Sequence, residues 1–125
     1  MITKKTARKL KELGFPQTAK AHYYTTSSLA EDYENDEQWR YSGYPPDKRD
    51  LAIPNTDELL AQLPHEANGC ALEITKVKSD KGIWGYRILY NVADPFVGWG
   101  GIWNESLSEA LAEMWILLKQ KGVIK

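Results

Sequence analysis

The sequence predicts a single α+β domain over residues 1–125, with an antiparallel sheet of about four strands and helices packed mainly on one face. Two observations lead to this fold class. Apolar residues recur at helical spacing near both ends of the chain, whereas segments between them alternate polar and apolar residues with the period of a strand. No low-complexity linker divides the chain. The predicted order of elements is α-β-β-α-β-β-α.

The first helix is predicted to run from Thr3 to Leu13. Thr3 is a suitable N-cap, because its hydroxyl can accept a hydrogen bond from an amide of the first turn. Gly14 can adopt the left-handed conformation that commonly ends a helix, and Pro16 cannot continue one. The spacing places three apolar residues on one helical face, namely Ala7, Leu10 and Leu13.

Two short strands are expected next, at residues 21–25 (AHYYT) and 39–44 (WRYSGY), because aromatic residues and threonine favour a pleated surface. The pair of prolines at 45–46 stops the second strand. The segment between the strands is polar and acidic, which is typical of a loop. Trp39 and Tyr41 would then lie on the return strand.

A short helix is predicted to begin with Asn55 or Thr56 as its cap and to end before Pro64. Residues 70–78 (CALEITKVK) and 83–92 (IWGYRILYNV) follow as strands, joined by the turn sequence SDKG. This connection predicts an antiparallel hairpin. Alternation along the second strand puts four large side chains on one side, namely Trp84, Tyr86, Ile88 and Tyr90.

Residues 94–103 (DPFVGWGGIW) are predicted to form a glycine-rich aromatic loop. The last helix is the most clearly marked element, with Ser106 as cap, Glu109 at the third helical position and Gly122 at the end. Trp115, on this helix, is expected in the core. The apolar stripe of the helix consists of Leu107, Ala110, Leu111, Met114, Leu117 and Leu118.

The opening sequence MITKKTARKLKELGFPQ, followed by AHYY, resembles the N-terminus of a group of small proteins from phages and mobile elements of gut Bacteroidetes. The resemblance covers both ends of the chain. It lies in Thr6-Ala7, Leu13-Gly14-Phe15, Tyr23-Tyr24 and, in the last helix, Glu109-Ala110-Leu111. The resemblance implies a phage or prophage setting and brings no catalytic residues with it.

Charge and composition narrow the classes of function. A formal net charge of −1 excludes attraction of the whole molecule to nucleic acid or acidic lipid. The single cysteine, Cys70, excludes an internal disulfide and is expected to be a buried, inert thiol. His22 and His65 lie in unrelated segments without a matching carboxylate. We therefore expect no metal, no cofactor and no catalytic site.

The expected compartment follows from two further features of the sequence. No apolar run approaches the roughly 18 residues that a membrane span needs. The N-terminal residues lack the apolar core of a signal peptide. We therefore expect a cytoplasmic protein that does not contact a membrane.

Aromatic residues make up 11% of the chain, more than a core of this size is expected to hide. Exposed Trp and Tyr are typical anchors of protein interfaces. We expect a non-enzymatic protein that binds a host or phage protein, or a second copy of itself, through an aromatic surface. For the aromatic loop, core closure and a ligand pocket are the alternatives. The candidate interface residues are Trp39, Tyr41, Trp84, Tyr86, Trp99 and Trp103.

Two charged clusters offer further candidates. The acidic cluster at residues 31–37 is expected to be a solvated loop, with a bound cation or mimicry of DNA as alternatives. The first helix carries a basic face, which is either solvated surface or a weak nucleic-acid-binding surface. Nucleic-acid binding is the alternative function, and its candidate residues are Lys4, Lys5, Arg8, Lys9 and Lys11.

Overall fold

The computed structural model describes residues 1–19, 21–24, 40–42, 51–67, 70–90 and 101–124. These ranges contain three helices and two antiparallel sheets, which confirms the α+β class. The chain divides into two compact units, residues 1–55 and residues 56–125. The expectation of a single domain over the whole chain stays a prediction.

The described residues of the first unit form one helix and a three-stranded sheet. Its elements are α1 (Lys4–Glu12), β1 (His22–Tyr24), β2 (Arg40–Ser42) and β3 (Leu51–Ala52). The strand order is β2-β1-β3, and both outer strands run antiparallel to β1. Tyr23 on β1 lies opposite Tyr41 on β2 and Leu51 on β3, and α1 packs against β3.

The ends of α1 follow the sequence prediction. The Thr3 hydroxyl accepts a hydrogen bond from the Thr6 amide at 3.1 Å, which confirms the N-cap. Gly14 has a φ of 90°, and the Phe15 amide donates to the Leu10 carbonyl oxygen at 2.9 Å. This hydrogen bond across a left-handed glycine is the Schellman motif, which ends the helix and turns the chain back towards its apolar face.

Hydrogen bonds of two side chains, Tyr23 and Gln17, link separate segments around the core of the first unit. The Tyr23 hydroxyl donates to the carbonyl oxygen of Ile2 at 2.7 Å. The Gln17 side chain accepts from the Ala52 amide at 2.9 Å and donates to the Phe15 carbonyl oxygen at 3.0 Å. His22 is a strand histidine with no exposed surface. The core also contains Ile2, Ala7, Leu10, Phe15, Ala19, Tyr23, Leu51, Ala52 and Ile53.

The described part of the second unit contains two helices and a four-stranded antiparallel sheet, of which only the two central strands were predicted. Its elements are α2 (Thr56–Gln62), β4 (Glu66–Ala67), β5 (Cys70–Lys78), β6 (Trp84–Tyr90), β7 (Ile102–Asn104) and α3 (Leu107–Gln120). The strand order is β4-β5-β6-β7. Strands β5 and β6 form the predicted hairpin, with Lys78 opposite Trp84 at its turn. Gly82 in that turn has a φ of 81°.

Helix α3 is the centre of the second core. It packs against α2, β6 and β7, and eight of its residues are buried. The Ser106 hydroxyl accepts from the Glu109 amide at 3.3 Å, and Val123 donates to the Leu118 carbonyl oxygen at 2.9 Å beyond Gly122. Both predicted ends are therefore confirmed. Trp115 is 3% exposed and Cys70 is a buried thiol outside any disulfide, as predicted.

The strands differ from the prediction in three respects. The strands around residues 21–25 and 39–44 do not join the hairpin but form the separate sheet of the first unit. The additional strands β3, β4 and β7 are only two or three residues long, too short to show a period in sequence. The prediction of a loop over 94–103 is wrong at its end, because Ile102 and Trp103 lie in β7.

Candidate functional site

The β5–β6 hairpin and its turn carry the largest exposed apolar side chains among the described residues beyond Met1. Trp84 is 57% exposed, and Ile83 and Ile74 are each 41% exposed. Single exposed apolar residues are common in a folded domain, whereas several large ones on one pair of strands are informative. We call the surface formed by Ile74, Lys76, Lys78, Trp84 and Tyr86 the hairpin patch.

Register places the residues of the hairpin patch on one face of the sheet. Lys78 lies directly opposite Trp84, Lys76 opposite Tyr86, and Ile74 opposite Ile88. Residues that lie directly opposite in an antiparallel pair point to the same side, and so do residues two positions apart in one strand. The prediction that Trp84 and Tyr86 share a strand face is therefore consistent with the register. Ile83 adjoins this surface in the turn.

Helix α3 covers the same face of the sheet farther from the turn. Ile88 has no exposed surface and Tyr90 is 3% exposed. Asn104 lies opposite Tyr86, and its side-chain amide donates to the Glu113 carboxylate of α3 at 3.2 Å. The face is therefore divided into a covered part and an open part. The hairpin patch is the open part, in which Tyr86 is half-buried and the other four residues are exposed.

Two titratable groups in the covered part have displaced pKa values. Burial raises the pKa of Tyr90 to about 12, and its hydroxyl donates to the Pro64 carbonyl oxygen at 2.8 Å. Burial and the nearby charge of Glu109 raise the pKa of Glu113, while the hydrogen bond from Asn104 acts in the opposite direction. Both side chains bond to groups of their own unit, which indicates structural roles.

Lysine side chains give the hairpin patch a basic character. The Lys78 ammonium lies 5.5 Å from the centroid of the Trp84 ring, within the range of a cation–π interaction. Lys76 is exposed on the same face, and the exposed Lys81 follows in the turn. Asp80 is the only acidic residue between Lys76 and Trp84. The patch therefore combines apolar anchors with positive charge.

The structure separates Trp103 from the other aromatic candidates of this sheet. Trp103 lies opposite Arg87, whose position in β6 alternates with that of Trp84 and Tyr86, so its side chain is on the other face. Its indole nitrogen reaches over the sheet and donates to the Val77 carbonyl oxygen at 3.4 Å. Trp103 and Trp84 therefore lie on opposite faces of the sheet, and the role of Trp103 in an interface stays a prediction.

Gly85 explains how Trp103 can lie so close to the sheet. A Cβ atom at Gly85 would lie 2.6 Å from Cζ2 of Trp103 and 2.7 Å from the Asn104 carbonyl oxygen. Gly101 is also required, because its φ is 79° and a Cβ there would lie 2.9 Å from the Ile88 carbonyl oxygen. At least this part of the glycine-rich segment therefore serves sheet packing.

The remaining aromatic candidates lie partly or wholly outside the described residues. Trp39 and Trp99 are outside the described ranges, and so is the acidic cluster at 31–37. The backbone of Tyr41 lies in β2, but its side chain is outside the described part. Their roles stay predictions. Sequence reasoning overlooked Ile74, Lys76 and Lys78, although the register implied by a short turn could have placed them beside Trp84 and Tyr86.

The basic residues of α1 occupy two kinds of position. Lys5 and Lys9 are exposed, whereas the three others are half-buried beside the core-facing Ala7 and Leu10. Lys4 places its ammonium 5.9 Å from the centroid of the Tyr23 ring. Long basic side chains at such a border commonly cover apolar surface with their methylene groups. The half-buried basic residues are Lys4, Arg8 and Lys11.

Metal-ligating groups are dispersed in the part of the chain that the structure describes. No three His, Cys, Asp or Glu side chains there lie close enough together to hold a metal ion. In the same ranges, no helix is both long and apolar enough to cross a bilayer.

Comparisons with protein-family models, curated proteins and solved structures gave no significant match. The phage-protein resemblance of the sequence is therefore still a prediction.

Proposed function

We propose that this chain is a non-enzymatic interaction protein of phage or mobile-element type, which acts in the cytoplasm and binds a host or phage protein through the hairpin patch. The observation that carries the proposal is the 57% exposure of Trp84. The second unit buries Trp115 in its core, whereas Trp84 of the same unit is exposed to solvent.

The chemistry of the hairpin patch suits a protein interface. Tryptophan and tyrosine supply large contact areas at a small entropy cost, and they are enriched among residues that dominate binding energy. The rigid β5–β6 pairing fixes their positions before a partner arrives, which reduces the ordering cost of association. Lys76 and Lys78 add charge at the margin, where it favours orientation and a faster encounter.

The non-enzymatic part of the proposal draws on the structural roles of the reactive side chains. Ser106 caps α3, Cys70 is buried, and Glu113 accepts from Asn104. Each of these groups has an explanation in folding. A catalytic site would instead need titratable groups that converge in a cleft.

The test is capture of a partner from host-cell lysate by the full chain and by Trp84→Ser. Trp84 contributes little to the core, so the variant should fold, and its thermal unfolding checks this. We expect Trp84→Ser to reduce partner capture by more than about tenfold, as the loss of an interface anchor does. Light scattering of the full chain identifies a partner that is a second copy.

Gln120→Ser is the matched control, because Gln120 is an exposed residue at the end of α3. It should capture as much partner as the parent chain. Equal capture by the parent and Trp84→Ser, with both folded, would contradict the proposed surface. Absence of any captured protein and of self-association would contradict the proposed function.

A second proposal, weak nucleic-acid binding by α1, is supported by the exposure of Lys5 and Lys9. These two residues are four positions apart and therefore lie one helical turn from each other. The first turn of α1, which contains Lys5, has no acidic residue.

A further inference from the structure

The outer edge of β5 is only partly covered by the described strands. Strand β4 pairs with Cys70 and Ala71 through Ala67 and Glu66, whereas β5 continues to Lys78. Since β5 lies between β4 and β6 in the strand order, its last residues have a described neighbour on the β6 side alone. The open edge is the side of residues 73–78 that faces away from β6.

Alternation identifies the backbone groups at the open edge. The Leu72 amide donates to the His65 carbonyl oxygen at 3.1 Å, on the β4 side. The Ser79 amide donates to Ile83 at 2.8 Å, on the β6 side. Backbone groups of alternate residues point to opposite sides of a strand. The residues whose amides and carbonyls face the open edge are therefore Ile74, Lys76 and Lys78.

We propose, on the basis of the proposed function, that the partner presents an extended acidic segment, which adds to the open edge of β5 as a further strand. Strand addition supplies main-chain hydrogen bonds, and side chains at alternate positions supply specificity. Acidic residues at alternate positions of that segment lie beside Lys76 and Lys78. The exposed Ile74 and Trp84 give apolar contacts on the same face.

Charge selects an acidic segment rather than a second copy of this chain. Antiparallel pairing of two β5 edges centred on Lys76 would place this lysine directly against its counterpart. Like charges directly opposite in a sheet are destabilising, and lysines on an edge strand oppose pairing between identical edges. An acidic strand would instead place carboxylates beside Lys76 and Lys78, and these opposite charges attract.

The experiment uses nuclear magnetic resonance of the ¹⁵N-labelled full chain with two synthetic probes, a peptide of alternating Glu and Val and its Lys–Val counterpart. We expect the Glu–Val peptide, at up to about 1 mM, to shift the amide signals of Ile74, Lys76 and Lys78 and to slow their hydrogen exchange. The Lys–Val peptide should leave them unchanged. A Lys76→Glu and Lys78→Glu double variant should weaken Glu–Val binding by about tenfold or more.

Lys81→Glu is the control for charge, since Lys81 is exposed in the turn and outside the edge. It should retain most of the affinity. Equal responses to both peptides, or none to the Glu–Val peptide, would overturn the proposal. So would equal protection of these amides by a single-stranded oligonucleotide, which matches the charge but cannot pair as a strand.

The two proposals fail separately in this design. A partner captured through Trp84, without a response at the β5 amides, overturns the edge pairing and leaves the interaction function. A peptide response at β5, with capture unaffected by Trp84→Ser, supports the edge and contradicts the hairpin patch as the principal anchor.

Discussion

Individual tryptophans in this protein differ in role because of where their strands and helices place them. Trp115 is 3% exposed on a helix surrounded by other elements, and Trp84 is 57% exposed at the end of a hairpin. Trp103 is half-buried because Gly85 leaves room for its ring on the sheet. Amino-acid type alone gives the three residues the same preference for burial, so their differences come from neighbours distant in sequence.

Glu113 provides a test of how burial affects a single charge. Its folded-state pKa is raised above the ordinary 4.5, so the folded chain holds this proton more tightly than the unfolded chain does. Stability from this group therefore falls as pH rises through the window above 4.5, and the loss persists at neutral pH. Glu113→Gln should be more stable than the parent at pH 7, with the difference shrinking as pH falls towards 4.5 and vanishing below it.

The measurement for Glu113→Gln is urea denaturation at a series of pH values. Glutamine keeps an oxygen that can accept from Asn104, so the comparison isolates the charge. Glu66→Gln, at an exposed position of β4, is the control for removal of a carboxylate from the surface. A Glu113→Gln variant that is less stable than the parent at pH 7 would show that the folded chain favours the ionised carboxylate.

At the scale of elements, helix ends were predictable because their causes are local. Thr3 and Ser106 each accept from an amide three residues later, and Gly14 and Gly122 each have the left-handed φ that ends a helix. All these interactions lie within a few residues of sequence. A helix end can therefore be predicted from the sequence without knowledge of the tertiary fold.

Ser106→Ala tests the contribution of one cap to the second unit. Its hydroxyl accepts from the Glu109 amide at 3.3 Å, and alanine removes that acceptor. We expect a loss of about 1 kcal/mol in the free energy of unfolding, measured by chemical denaturation. Gln120→Ala, at the exposed end of the same helix, should change stability by less than about 0.5 kcal/mol. Equal effects would exclude capping as the cause.

Short strands and sheet membership were not predictable from local pattern. Strands β3 and β4 contain two residues each and exist because a longer partner supplies their hydrogen bonds. Strand β7 follows a glycine-rich segment, where composition favours a loop. The candidate site was likewise predictable only in part. Alternation along one strand predicts that Trp84 and Tyr86 share a face, whereas placing Lys76 and Lys78 beside them requires the cross-strand register.

Positive and negative charges nearly balance over the whole molecule, but they are unevenly distributed along the sequence. The formal net charge of −1 gives no general attraction to a polyanion. Residues 1–20 nevertheless contain six Lys and Arg against one acidic residue. Any binding to nucleic acid should therefore depend on a few local cations rather than on the net charge, and the second proposal places these cations on α1. Such binding should be weak and strongly dependent on salt.

Lys5→Gln with Lys9→Gln tests this expectation on the full chain. If each exposed lysine neutralises one phosphate, log affinity for a single-stranded oligonucleotide should fall with log salt at a slope of about −1.4. The double variant should reduce the affinity at low salt and bring the slope close to zero. Fluorescence anisotropy of a labelled oligonucleotide measures both. Lys81→Gln with Lys121→Gln removes equal charge at exposed positions outside α1 and should leave the slope unchanged. Equal losses in the two double variants would assign the binding to net charge rather than to the α1 surface.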